Sequence, residues 1–364
     1  MKPCIEHLYV HIPFCTHICP YCAFYKHKND LRTMTPFIHA LKAELAWARE
    51  QFDLQPRTIY FGGGTPSALS LSQLEALFSD WPWKDVKEFS FECNPATVSE
   101  QKARLLRQIG VNRISLGVQS LQTEFLKLLG RTHTAQGVHQ TIEHLRTAGF
   151  EDISLDLMYA LPTQSLDAWR ADLEAAVALS PTHLSAYNLN FEEDTPFFEQ
   201  LARGAWHIDE AREREMFLAT VQFLEERGFG LYEVSNFARA GYASTHNQAY
   251  WDGKDYLGLG PSACSTVGGL RWKNVPDSHR YIESMQVRGS SERSEEALSP
   301  SMRQGEKIML ALRTARGVPL DELTMYTFLT ESLLHDGRAR VEEGRFKLTR
   351  EGLLVADSIA GLFV

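Results

Sequence analysis

Strand-like segments, each followed by helical ones, recur at intervals of roughly 30 residues through the first half of this chain. His7–Ile12 alternates apolar and polar side chains, as a half-buried strand does, and residues 36–52 repeat Phe37, Leu41, Leu45 and Ala48 at helical spacing. Further strands are expected at 57–61, 88–92, 113–118, 152–157 and 183–188. Helices are expected between them at 70–78, 98–109, 124–129, 135–147 and 166–179. This order fits right-handed βαβ crossovers around a parallel sheet. Six such steps are too few to close an eight-fold barrel. The expected fold class is therefore α/β, a partial, open (β/α)6 barrel with its chemistry at the C-terminal ends of the strands.

The rhythm stops near residue 190, and three units are expected: a partial barrel at 1–235, a connecting region at 236–299 and a C-terminal domain at 300–364. A helix is read at 209–227, and 241–269 is rich in Gly and aromatic residues, while 286–299 reads as a polar linker. The C-terminal residues suggest two helices, two short strands (Ala339–Glu342 and Arg345–Leu348) and a helix from Thr349, an α+β order like a winged helix. That unit carries nine Lys/Arg and nine Asp/Glu, within a chain of net charge −9, which disfavours nucleic-acid binding. No run approaches the ~18 apolar residues of an integral membrane segment. Six cysteines are far too few for a disulfide scaffold. A cytoplasmic location with reduced thiols is expected.

Half of those cysteines, Cys15, Cys19 and Cys22, lie within eight residues as Cys-x3-Cys-x2-Cys. Chance would produce that pattern about 0.002 times per chain of this composition, so a shared role is expected. Three thiolates on one loop can bind zinc if His17 or a distant Cys completes the site. They can also hold a cubane iron–sulfur cluster, one of whose irons would keep an open position. Phe61-Gly62-Gly63-Gly64-Thr65-Pro66 follows the second strand at the same sheet edge, where backbone without side chains can approach a ligand.

Together these motifs resemble the radical SAM superfamily, in which three Cys of this spacing hold a [4Fe–4S] cluster. Its open iron takes the amino and carboxylate groups of S-adenosylmethionine, and reduction cleaves that cofactor to a 5′-deoxyadenosyl radical. The segments Leu8–Cys15, Phe61–Pro66, Glu92–Pro95, Ile114–Ser120 and Leu155–Pro162 extend the resemblance to one branch. That branch contains oxygen-independent coproporphyrinogen III dehydrogenase and a family of heme chaperones. The resemblance implies S-adenosylmethionine contacts at Tyr9, Tyr21, Gly63, Gly64, Thr65, Glu92, Gln119, Arg131 and Asp156, with Asn190 as a further candidate. Glycine amides would serve the methionyl carboxylate, and Arg131 would pair with a carboxylate. Read from position alone, Glu92 and Asp156 could instead cap the helices that follow their strands.

Two features divide the branch. The dehydrogenase has a further Cys two positions after the third cluster Cys, where this chain has Phe24, and a long extension ahead of the motif, where this chain has fourteen residues before Cys15. The resemblance is thus to the heme chaperones, which deliver heme to apo-hemoproteins such as respiratory enzymes, and it implies no coproporphyrinogen III oxidase activity. Whether the chain forms a homodimer is left open. His246-Asn247-Gln248-Ala249-Tyr250-Trp251 matches the His-Asn-x-x-Tyr-Trp motif tied to heme in that family, so the resemblance makes His246 the candidate heme ligand. Four positions depart from the usual pattern: Ala23 for an acidic residue, Cys93 for a small one, Ala160 for Gly and Cys264 for His.

Overall fold

The computed structural model describes residues 2–83 and 85–363. Its centre is a nine-stranded sheet in which Cys4–Ile12, Asp53–Gly63, Glu88–Cys93, Arg113–Gln119, Asp152–Tyr159 and His183–Asn188 lie side by side in chain order. All five pairings among these six strands are parallel. The sheet curls into the expected partial barrel without closing. Leu257–Leu259 extends it in parallel beside the first strand, and Asn236–Ala238 with Gly230–Glu233 extends it antiparallel beyond the sixth.

The strands earn their place by alternation. Ile59 and Phe61 face the outer helices, whereas Thr58 and Tyr60, which alternate with them, face the barrel interior and make polar contacts there. Helix Leu31–Gln51 buries Met34, Phe37, Ile38, Leu41, Leu45 and Ala48 on one face and is capped by Asp30, which accepts from the Arg32 amide. It starts five residues before Pro36, so the proline lies inside the helix rather than at its start. Residues 286–299 are not simply a linker, because Arg293–Ala297 forms an edge strand on Leu270–Asn274. That strand is exposed and polar, held by its backbone ladder, and so carries no hydropathy signal.

The C-terminal unit matches the winged-helix-like order. Val318–Pro319, Arg345–Leu348 and Ala339–Glu342 form a small antiparallel sheet against helices Pro300–Ala311 and Thr327–His335, around their own core of Leu312, Phe346 and Phe363. It joins the barrel edge by backbone, Val234 N–H donating to Arg313 and Ala315 N–H to Tyr232. Among the described residues no helix is long and apolar enough to cross a membrane.

One buried carboxylate fastens the barrel to the region that follows it. Glu44, in the first helix, accepts from Gly260 N–H at 2.7 Å, Asn274 Nδ2 at 2.8 Å and Tyr281 Oη at 2.7 Å. Burial pushes its pKa up, and the three donors oppose that shift. Glu44→Ala would strand three buried donors, each costing ~1–3 kcal/mol. Urea unfolding is expected to show a loss of at least ~3 kcal/mol, and an unchanged midpoint would refute this role.

Candidate functional site

The three thiols come together because the chain turns sharply after the first strand. Phe14–Cys15 pairs with His27–Lys28, which closes the intervening cysteine loop over the C-terminal edge of the sheet. Cys15, Cys19 and Cys22 then share the wall of a cavity of about 170 Å³ with Gly63, Gly64 and Thr65. Thr65 Oγ1 and Arg131 Nη1 each lie 3.5 Å from a sulfur, those of Cys15 and Cys19. Burial pushes the Cys15 and Cys22 thiols up, so in the unliganded protein they hold their protons until a metal displaces them. Among the described residues, no three His, Cys, Asp or Glu side chains are gathered tightly enough for a single metal ion.

The amides of the glycine run are engaged within the protein. The Gly63 amide donates to Glu92 Oε2 at 3.2 Å, and the amides of Gly64 and Thr65 donate to the carbonyls of Ile12 and Phe14 at 2.8 Å. All three amides are therefore occupied by protein acceptors. The glycines allow close approach instead: a Cβ on Gly64 would sit 2.9 Å from backbone of residues 12–14, and one on Gly63 would meet the His11 ring. Gly63 also has φ +108°, which disfavours any side chain.

Glu92 and Asp156 are not helix caps. Glu92 accepts from Tyr60 Oη at 2.9 Å as well as from Gly63, and burial raises its pKa to about 7, with Asp156 adding to the rise. Asp156 accepts from Ser115, Ser154 and Ser185, on the fourth, fifth and sixth barrel strands. Gln119 accepts from Tyr187 Oη at 2.7 Å. Arg131 Nη2 donates to Gly117 O at 2.6 Å, and its buried Nε has no partner among the described residues.

Tyr21, Glu92, Gln119, Arg131 and Asp156 all line the cysteine cavity. Asn190 lines only a second cavity of about 570 Å³, which continues from the first into the barrel and shares Tyr21, Cys22, Phe24 and Glu92 with it. Tyr9 lines neither of these: its ring stacks behind Tyr60, 6.1 Å between centroids, and its hydroxyl meets His11 Nδ1. The sequence reading missed Tyr60, Tyr187 and the three serines. Their signal was the period of two, which turns a polar residue inward between buried apolar ones on each strand.

His246 lies apart from the thiols. Its helix, Thr245–Trp251, starts on the Glu88 carboxylate, which accepts from the amides of Thr245 and His246 and from Ser244 Oγ. The ring is 1% exposed, with Nδ1 2.7 Å from Thr58 Oγ1 and Nε2 3.0 Å from Tyr250 Oη. Burial lowers its pKa to about 3. Both nitrogens are occupied, so in this arrangement the imidazole offers no free lone pair to a metal.

Two of the four departures have physical correlates. Ala160 takes φ +58°, a left-handed conformation suited to the usual glycine, and Cys93 is a core residue whose thiol is pushed up to about 12 by burial.

An open parallel barrel with three thiols, a glycine turn and inward carboxylates at its C-terminal edge defines a radical SAM protein, and the model of the Radical SAM superfamily matches residues 9–176. Similarity to named proteins spans nearly the whole chain. The Heme chaperone HemW of Bacillus subtilis is 34% identical over 374 residues, 98% of each chain. That of Lactococcus lactis subsp. lactis is 37% identical over 320 residues, 86% of this chain and 83% of the relative. The chain belongs to the HemW family. The solved structure of coproporphyrinogen III oxidase (HemN) from Escherichia coli shares the fold, with TM-score 0.84 at 24% identity over 100% of this chain and 90% of that one.

Proposed function

We propose that this protein is a heme chaperone, which binds heme and passes it to apo-hemoproteins, and that it carries a [4Fe–4S] cluster and S-adenosylmethionine. The observation carrying this reading is the end-to-end similarity to proteins named heme chaperone, in a chain whose three thiols share one cavity wall. Cys15, Cys19 and Cys22 would hold the cluster, with Thr65 and Arg131 as hydrogen-bond donors toward sulfur. When bound, the cluster supplies an open iron for the cofactor's amino and carboxylate groups and an electron for its reductive cleavage. The unpartnered Arg131 Nε suits a carboxylate, and Glu92 suits an ammonium group. Asp156, already held by three serines, would orient a ribose hydroxyl. The buried tyrosines exclude water around that space.

The second reading, oxidative decarboxylation of coproporphyrinogen III, has the shared HemN fold in its favour. Phe24, exposed at the lip of both cavities, stands against it, because the resemblance puts the dehydrogenase's additional thiol at that position. One anaerobic experiment separates the two. Reconstituted protein with dithionite and S-adenosylmethionine receives either hemin followed by an apo-hemoprotein, or coproporphyrinogen III. Saturable hemin binding with transfer, and no protoporphyrinogen, is expected. Protoporphyrinogen formation without hemin binding would overturn the chaperone reading.

A further inference from the structure

On the far side of the wall that Tyr60 and His246 build lies a third cavity, of about 470 Å³, between the barrel edge and helix Pro300–Ala311 of the C-terminal unit. Tyr9, Tyr250, Tyr256, Cys264, Arg271 and Arg303 line it. Tyr250 and Tyr256 meet edge to face, 4.6 Å between ring centroids, and form an aromatic corner. Cys264 is half-buried and has no disulfide partner, and it opens the strand Cys264–Val267 that floors the cavity. Around the rim, Arg271 pairs with Glu306 at 2.6 Å and Arg303 with Asp255 at 2.9 Å, while Lys254 has no ion pair among the described residues.

Charge separates this cavity from the one inside the barrel. The barrel cavity presents Glu92, Asp156 and Glu192, with Arg113 already paired to Asp152. The third cavity presents one cation without an ion pair among the described residues, Lys254, beside the Arg271–Glu306 and Arg303–Asp255 pairs, with Glu306 its one lining carboxylate. A flat apolar ring bearing two carboxylates and a metal meets an acidic lining in the first, and in the second an unpaired lysine with two arginines whose remaining N–H groups can also donate to a carboxylate. Sites of this kind favour domain junctions, and this one lies between two cores.

We infer that heme binds in this third cavity, with the Cys264 thiolate on its iron, its ring against Tyr250 and Tyr256, and its propionates toward Lys254, Arg271 and Arg303. The inference rests on the heme-binding reading above and adds the seat and the ligand. Binding of ferric heme breaks the Cys264 S–H bond, forms an Fe–S bond and releases the proton to solvent, with no change in oxidation state. His246 is then a positioning residue: its Nε2 holds the Tyr250 hydroxyl and its ring stacks on Tyr60, 5.2 Å between centroids. Tyr60 in turn holds Glu92. The His-Asn-x-x-Tyr-Trp helix would thereby join the wall of the cysteine cavity to the wall of the heme seat.

The test is hemin titration of the full-length protein, read by Soret absorption and by electron paramagnetic resonance, with the iron–sulfur absorption after reconstitution as the check of folding. The wild type is expected to give a thiolate-ligated ferric spectrum. Cys264→Ser should lose that signature and bind about tenfold or more weakly, and Cys264→His should restore binding with an imidazole signature. Leu310→Trp, which fills the cavity without touching the thiol, should also weaken binding. His246→Gln should keep the thiolate signature. If the wild type binds hemin but neither Cys264→Ser nor Leu310→Trp alters the titration, the seat is elsewhere and only this inference falls. An imidazole spectrum that disappears in His246→Gln would overturn it likewise. A wild type that binds no hemin defeats the heme reading itself.

Discussion

Replacing Cys19 with serine is expected to empty the protein of its cluster, from about four irons per chain after anaerobic reconstitution to below about half an iron. The effect should be near total because three thiols share the cavity wall, and one hydroxyl cannot stand in for a thiolate at a soft metal. The same loss is expected for Cys15→Ser and Cys22→Ser. Cys15 is buried, with its sulfur 3.5 Å from Thr65 Oγ1, and Cys22 lines both the small cavity and the barrel cavity. Cys4→Ser supplies the control, since that thiol is exposed at the start of the first strand and should leave the iron content untouched. Cys93→Ser should also keep its iron, at a cost in stability from placing a hydroxyl in the core. Iron and acid-labile sulfide assays with the visible absorption spectrum are the readout. Full iron in Cys19→Ser would remove that thiol from the ligand set.

The six parallel strands were legible because a strand with one face in the barrel interior and one against helices must alternate, and Thr58-Ile59-Tyr60-Phe61 does. The cysteine loop was legible because its spacing is rare and local. Three things were not. Arg293–Ala297 is a strand with no apolar face, so only its pairing to Leu270–Asn274 reveals it. The work of Gly63 and Gly64 is packing against residues 11–14, a contact made by folding and invisible in spacing. The environment of His246 depends on Thr58 and Glu88, each more than 150 residues away, and no local pattern announces such partners. The family motif made that histidine a candidate ligand, while its burial with both nitrogens bonded gives it the surroundings of a core residue. Position alone suggested that Glu92 and Asp156 cap the helices after their strands, but their partners (Tyr60, Gly63 and the three serines) come from the sheet and not from those helices.

Glu92 should make S-adenosylmethionine binding depend on pH. Burial, reinforced by Asp156, raises its pKa from 4.5 to about 7, against the opposing hydrogen bonds from Tyr60 and Gly63. Below that value the carboxyl is neutral and cannot pair with the cofactor's ammonium group. Affinity for S-adenosylmethionine is therefore expected to rise as pH increases from about 6 to 8, by up to about tenfold per unit on the acid side. Glu92→Gln keeps the shape and an acceptor for the Tyr60 hydroxyl but never ionises, so its binding should be weak and nearly flat over the same range. Stability of the unliganded protein should move the other way. Between the unfolded pKa near 4.5 and the folded value near 7, the folded chain binds more protons than the unfolded one, so stability falls as pH rises through that window. The full cost, ~3 kcal/mol, is present above the folded pKa. Without cofactor, the stability of Glu92→Gln relative to the wild type should thus rise by ~3 kcal/mol between pH about 4 and pH about 8, on top of a pH-independent cost of turning the Gln amide toward the Gly63 N–H. Calorimetric titration with S-adenosylmethionine and urea unfolding at both pH values supply the two readings. A substitution that weakens binding equally at every pH, with no gain in stability at high pH, would mean that Glu92 contributes shape rather than charge to the site.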